Sequence, residues 1–254
     1  MPSISVDVDP ANVLGIDPGL KNWLTCISNV GTGFMIDGLQ VKAVNNWYNK
    51  QIAVIKEDKP QGFWSRKLAA ITEKHNCQMR DAVNKAARLV IVHCIENRIG
   101  TIVFGWNKGQ RQAVNLGTKT NQKFVQIPTA RLKDRVAQLC EQHGIRFIET
   151  EESYTSKASF LDQDELPTFG EKPEGWKSSG KRTKRGLFRT ANNQYINADC
   201  NGAANILRKV ATTLGLDLSG VSMGSLTAPT RIRFWVTAKK RCEGVLLAHV
   251  ATSA

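Results

Sequence analysis

The chain has 254 residues and is 41% hydrophobic, enough for one large domain or two small ones with a real core. Its 35 Lys and Arg against 22 Asp and Glu give a net charge of +13 and a pI near 9.6, which points to a polyanionic partner, with a solubility device or a membrane-facing patch as blander readings. No apolar run approaches the roughly 20 residues of a bilayer span, and the opening MPSISVDVDPANVLG lacks the basic and apolar regions of a secretory signal, so a cytoplasmic chain without membrane contact is expected.

In chain order, residues 13–17 (VLGID) read as a short buried strand that carries Asp17 to its C-terminal tip before the Pro18-Gly19 turn. Residues 23–28 and 34–37 are further strands, separated by Gly31 and Gly33, so a three-strand meander is expected. Residues 41–64 are aromatic and basic and read as a part-helical connector crossing the sheet. Residues 66–97 contain no Pro or Gly and space Leu68, Ile71, Met79, Val83, Ala86 and Val90 at helical period, which predicts a long helix bounded by Gly100. Residues 101–104 form the next buried strand. Residues 129–143 form a helix opened by Pro128 and closed by Gly144. Residues 146–150 are a strand, and residues 199–210 are the closing helix, with Asp199 as N-cap or first-turn acid.

The order β-β-β-α-β-α-β-insertion-α is the RNase H-like (RuvC-like) plan, a mixed five-stranded sheet flanked by helices. The expected divisions are an N-terminal extension over 1–11, one domain over 12–213 with a polar, basic insertion at 153–196, and a tail over 214–254. Past residue 212 the periodicity is lost, which predicts an irregular tail anchored by residues such as Trp235. The six cysteines (Cys26, Cys77, Cys94, Cys140, Cys200 and Cys242) form no CxxC pair and read as ordinary thiols.

An acid on a strand tip and an acid on a late helix can share a divalent metal pair, the layout of a two-metal phosphodiesterase using Mg²⁺ or Mn²⁺. The blander readings are that Asp17 starts a Pro-Gly turn and Asp199 caps a helix. The run WKSSGKRTKRGLFR holds Lys177, Lys181, Arg182, Lys184, Arg185 and Arg189 with no acid. It reads as a mobile loop able to follow a phosphate backbone, against the alternative of a solvated charged loop. Lys108 and Arg111 lie in an Asn- and Gln-rich segment, 107–122, that suits a sugar-phosphate contact and its own turns equally. Trp47, Tyr48, Phe63 and Trp64 read as core ahead of stacking platforms. The four histidines have no partner at metal-ligand spacing.

GIDPG at Asp17, FGWNKG at 104–109, NQKFVQIP at 121–128, EESYTSKASFLD at 151–162, RGLFRT at 185–190 and NADCNGAANI at 197–206 together resemble the TnpB (OrfB) proteins of insertion sequences, relatives of type V CRISPR effectors. The resemblance covers roughly residues 12–235. It implies a RuvC-like nuclease domain, a divalent metal, and DNA cleavage guided by an RNA, with Asp17 as the first acid and Asp199 as the last.

Three departures qualify that expectation. Where most relatives end the central strand in a glutamate, this chain has Gly105, but the neighbouring strand ends in Glu149, Glu151 and Glu152. Adjacent strands run only ~4.8 Å apart, so an acid from that tip can reach the same metals. Glu152 is the expected replacement, with Glu151 as the alternative and three solvated loop acids as the bland reading. Many relatives carry a four-cysteine zinc ribbon in the insertion; this one has no cysteine there, so no zinc is expected. Full-length relatives also carry an N-terminal half that holds guide RNA, whereas this chain opens almost at the first strand, as a truncated member would. The expected function is thus a divalent-metal-dependent DNA endonuclease domain, with DNA as partner and guide RNA in full-length relatives. The alternative is a catalytically impaired nucleic-acid-binding relic with an accessory role in transposition. An actin-like ATPase, suggested by GIDPG, ranks last because no second Gly-rich aspartate loop follows. The oligomeric state is not legible.

Overall fold

The structure, a computed structural model, describes residues 6–107 and 127–234. Its centre is β1 (Asp9–Pro18), which pairs antiparallel with β2 (Asn22–Ser28) and parallel with β4 (Ile99–Gly105). β3 (Gly33–Asp37) extends the meander antiparallel to β2, and β5 (Arg146–Thr150) runs parallel to β4. A sixth strand, β9 (Thr230–Ile232), adds parallel to β3, so the sheet order is β5-β4-β1-β2-β3-β9. The helices are α1 (Leu39–Lys56), α2 (Arg66–Glu96), α3 (Thr129–Gln142), α4 (Ala198–Leu214) and the short α5 (Met223–Thr227).

Strand alternation decides which side chain meets which helix. Leu14 and Ile16 of β1, Leu24 and Cys26 of β2, and Ile102 and Phe104 of β4 join one core with Val83, Ala86 and Val90 of α2 and Leu132 and Val136 of α3. Val13, Ile27, Met35 and Val103 point the other way, into a second core with Ala203, Ile206 and Leu207 of α4. By the same alternation Gly15, Asp17 and Gly105 belong to the α4 face. That parity is what brings the strand-tip acid opposite the last helix.

Gly15 lets α4 lie directly on β1. A Cβ there would stand 2.7 Å from the Ala203 carbonyl oxygen and 2.7 Å from Leu207 Cγ. Since a backbone atom is one of the two, Gly15→Ala must push the helix off the sheet. Overpacking of this kind destabilises by about 1–3 kcal/mol. In a chain of this size that lowers the thermal midpoint by roughly 2–4 °C per kcal/mol, readable by calorimetry; an unchanged midpoint would contradict the close helix–sheet contact.

α4 is capped by Asn197, whose side chain accepts from the N–H groups of Asp199 (2.9 Å) and Cys200 (3.2 Å). Gly215, at φ 61°, closes it in the left-handed conformation. Asp199 is therefore a first-turn residue and not the cap.

Three expectations are corrected here. The insertion is not simply a loop: β6 (Lys181–Lys184), β7 (Leu187–Arg189) and β8 (Tyr195–Asn197) form a three-stranded antiparallel sheet. It is anchored by the buried Phe188 and Ile196 and turned by Gly186 at φ 76°. Its strands are three and four residues long, too short to show a period. Asp162 and Asp164 staple the preceding turn to it, accepting from the Ala191 N–H (2.8 Å) and the Ser179 N–H (3.1 Å). The tail, expected to be irregular, supplies α5 and β9 and makes the sheet six-stranded. Arg231 of β9 pairs with Asp37 of β3 at 3.1 Å, a long-range contact that no local pattern announces. Trp235 lies outside the described residues, while Phe234 meets Trp23 edge-on at 6.4 Å.

Trp47 and Trp64, read as core, are exposed at 44% and 61%; Tyr48 stacks on His75 at 4.0 Å. Of the cysteines, Cys26, Cys94, Cys140 and Cys200 are buried and free, and burial pushes the Cys140 thiol up to about 12. Among the described residues no helix is long and apolar enough to cross a membrane.

Candidate active site

Asp17 stands at the tip of β1 on the α4 side of the sheet, half-buried. A Cβ added to Gly202, in the second turn of α4, would lie 2.7 Å from Asp17 Oδ2, so the carboxylate rests against the helix. Asp199 is three residues before Gly202, on the same helical face. Both carboxylates act on the buried Cys200: its thiol is pushed up by burial first, then by the charges of Asp199 and Asp17.

Glu152 follows β5 by two residues, and its side chain lies back across the end of β4. A Cβ at Gly105 would meet Glu152 Cγ at 2.9 Å and Oε1 at 3.2 Å. The space that a side chain at position 105 would enter is thus filled by Glu152. Asn107, just past β4, holds the acid there. Its Oδ1 accepts the Glu152 N–H (2.9 Å) and its Nδ2 donates to Glu152 Oε2 (3.4 Å). Asp17, Asn107 and Glu152 line one open cavity of about 390 Å³, together with Thr155 and Lys157.

The loop carrying Glu152 is fastened to α4 by a stripe of polar side chains at helical spacing. Asn201 donates to the Ala158 carbonyl and accepts from the Phe160 N–H; Asn205 donates to the carbonyls of Thr155 and Ala158. Arg208 donates to the carbonyls of Ser159 and Asp164. Both asparagines are fully buried, and unmatched loop carbonyls would be costly there. Helix α4 thereby sets the position of Glu152 as well as that of Asp199.

Glu151 takes another direction. It pairs with Lys209 and accepts the Phe169 N–H at 3.2 Å. Burial alone would raise its carboxyl pKa, but the Lys209 and Phe169 hydrogen bonds and the Lys209 charge hold it below the ordinary glutamate value. Glu149 pairs with Lys133 at 2.5 Å. Of the three glutamates at this strand end, Glu152 is the one lining the cavity with Asp17.

Asp199 is held at both oxygens. Asn22 donates to Oδ2 at 2.7 Å and Arg182 of β6 to Oδ1 at 2.9 Å. Among the described residues no group of three or more His, Cys, Asp or Glu side chains stands together closely enough to hold a metal ion. The donor set on the cavity wall nevertheless suits a hard cation: carboxylate oxygens, with the neighbouring Cys200 kept as the thiol. Mg²⁺ is commonly bound through one or two carboxylates, the rest of its shell coming from water and substrate phosphate.

Of the cations predicted to contact nucleic acid, Lys177, Lys181, Arg182, Lys184 and Arg185 are exposed and Arg189 is half-buried. Arg182 reaches Asp199. Lys108 and Arg111 lie outside the described residues. The sequence reading missed Asn22, Asn107, Asn201 and Asn205, whose roles rest on long-range contacts; the amide spacing within NADCNGAANI was the one local hint.

A family model described as a probable transposase (OrfB_IS605) matches residues 1–111. No curated protein sequence matches the chain. Among solved structures, the fold is similar to that in a cryo-EM structure of a Cas12f1–sgRNA–target DNA complex, with a TM-score of 0.54 and 19% identity over 78% of this chain and 50% of that one. It is also similar to a CRISPR–Cas12f ternary complex, with a TM-score of 0.51 and 20% identity over 81% of this chain and 40% of that one. The chain thus spans half or less of the length of these two proteins. The matched model covers residues 1–111, over which the chain resembles a transposase family of insertion sequences, while the two structures share the mixed α/β fold.

Proposed function

We propose that the chain is the RuvC-like nuclease domain of a TnpB-type protein, cutting DNA with a divalent cation. The observation that carries this reading is Glu152 lying across Gly105 and lining one cavity with Asp17. A strand order with an antiparallel meander at β1–β3 and parallel β4 and β5 supports the RNase H-like assignment.

Asp17 and Glu152 would hold Mg²⁺ or Mn²⁺, with Asp199, one helical turn before Gly202 on α4, as the further carboxylate. The cation, when bound, would supply an activated water and charge stabilisation at the leaving oxygen. The chain's own residues do the positioning. Asn107 fixes Glu152, while Asn201 and Asn205 fix the loop that bears it. Lys157 on the cavity wall and the exposed cations of β6 and its turn hold the phosphate backbone. The two similar structures are a Cas12f1–sgRNA–target DNA complex and a CRISPR–Cas12f ternary complex, and guide-RNA-directed targeting is proposed for this chain on that likeness.

The test is incubation of the purified chain with labelled single- and double-stranded DNA in Mg²⁺ or Mn²⁺. Cleavage that stops on chelation is expected. Binding that persists without cleavage in either metal would favour a second reading, a non-cleaving nucleic-acid-binding relic. The observation behind that alternative is Asp199, whose two oxygens are already taken by Asn22 and Arg182.

A further inference from the structure

The acid nearest the N-terminus of α4 is bound to a side chain built for phosphate. Arg182 lies on β6, the edge strand of the small sheet, with 47% of its side chain exposed, and donates to Asp199 Oδ1 at 2.9 Å. Lys181 and Lys184 on the same strand and Arg185 in the turn are exposed around it. Asn22 holds the other oxygen from the β1–β2 hairpin. An ion pair this open to solvent is weak and screened by salt, whereas a guanidinium can take a phosphate through two parallel N–H bonds. The basic strand that meets an incoming backbone therefore carries the group that occupies the third carboxylate.

We propose that Arg182 is a substrate-sensitive latch on Asp199: it keeps this carboxylate from the cation until a nucleic-acid phosphate draws the guanidinium away. The proposal rests on the reading of Asp17 and Glu152 as cation ligands, and it deepens that reading by coupling cation binding to occupancy of the basic hairpin. Arg182 is a positioning residue here, acting through Asp199. The coupling is reciprocal, so nucleic acid tightens the cation and the cation tightens nucleic acid.

The experiment measures Mn²⁺ binding to the full chain by calorimetry, with and without a phosphorothioate single strand that resists cleavage. Wild type should bind Mn²⁺ about tenfold more tightly with the strand present, within the usual range of such couplings. Arg182→Ala should show the tighter affinity on its own and respond little to the strand. Arg88→Ala removes the same charge from an exposed position of α2, outside the proposed nucleic-acid contacts, and should behave as wild type with and without the strand, separating the latch from net charge. Circular dichroism establishes that each variant is folded. An Arg182→Ala affinity equal to or weaker than wild type, in a chain whose Mn²⁺ binding is lost on Asp17→Asn, overturns the latch alone. If Asp17→Asn and Glu152→Gln both bind Mn²⁺ as wild type does, the underlying cation site is overturned and the latch with it.

Discussion

Glu152→Ala is expected to abolish metal-dependent cleavage, and Gly105→Glu placed in the same chain is expected to restore part of it. The two positions share one space. In the wild type a Cβ at position 105 would stand 2.9 Å from Glu152 Cγ, so the two positions compete for one volume beside Asp17. Removing the Glu152 side chain opens that volume. The remaining neighbour is Ile206 Cδ1, 2.5 Å from such a Cβ, the end of a flexible side chain that can turn aside. The expected loss in Glu152→Ala is on the order of 10²–10³-fold in turnover, the scale of losing one group that stabilises developing charge. The double variant should regain at least about tenfold. Gly105→Glu alone should lose activity, because it crowds Glu152 and sets two carboxylates together. Full cleavage by a folded Glu152→Ala chain would show that the acid had not moved to this strand.

Asp17→Asn is the second large effect. The substitution keeps the shape of a half-buried side chain against α4 and removes its charge. Turnover should fall on the order of 10³-fold, while DNA affinity in the absence of divalent cation should be unchanged or slightly higher, since a negative charge has been taken from a basic face. The thermal midpoint should stay within a few degrees. A loss of DNA affinity equal to the loss of turnover would place Asp17 in binding and not in chemistry. Cleavage at the wild-type rate would end its assignment.

Much of this arrangement was legible because it is local. VLGID is a continuous apolar run ending in an acid, so the strand and the place of Asp17 at its tip follow from five residues, and the observed β1 contains them; the face Asp17 takes is set by the helices packed on either side. The long unbroken period of residues 66–97 gives α2 within a residue. The sequence favours Glu152 over Glu151 as the displaced acid, from Gly105 beside an acidic neighbouring tip, but the Lys209 contact that turns Glu151 aside lies 58 residues along the chain and has no local signal. The small sheet of the insertion and the sixth strand were not legible, since strands of three or four residues are defined by their partners and not by a pattern. The latch between Arg182 and Asp199 and the grip of Asn201 and Asn205 are likewise tertiary. Asn197 shows the limit at the shortest range: it lies two residues before Asp199, takes the cap, and frees the aspartate for other work.

Asp17 and Glu152 come from strands that are not neighbours, and on the proposed function they share one cation. Anomalous diffraction from crystals of the chain soaked in Mn²⁺ tests it most directly. A peak is expected in the cavity in contact with both carboxylates, lost in crystals of Glu152→Gln. A peak that stays on Asp17 when Glu152 is replaced, or Mn²⁺ bound only elsewhere, would contradict it.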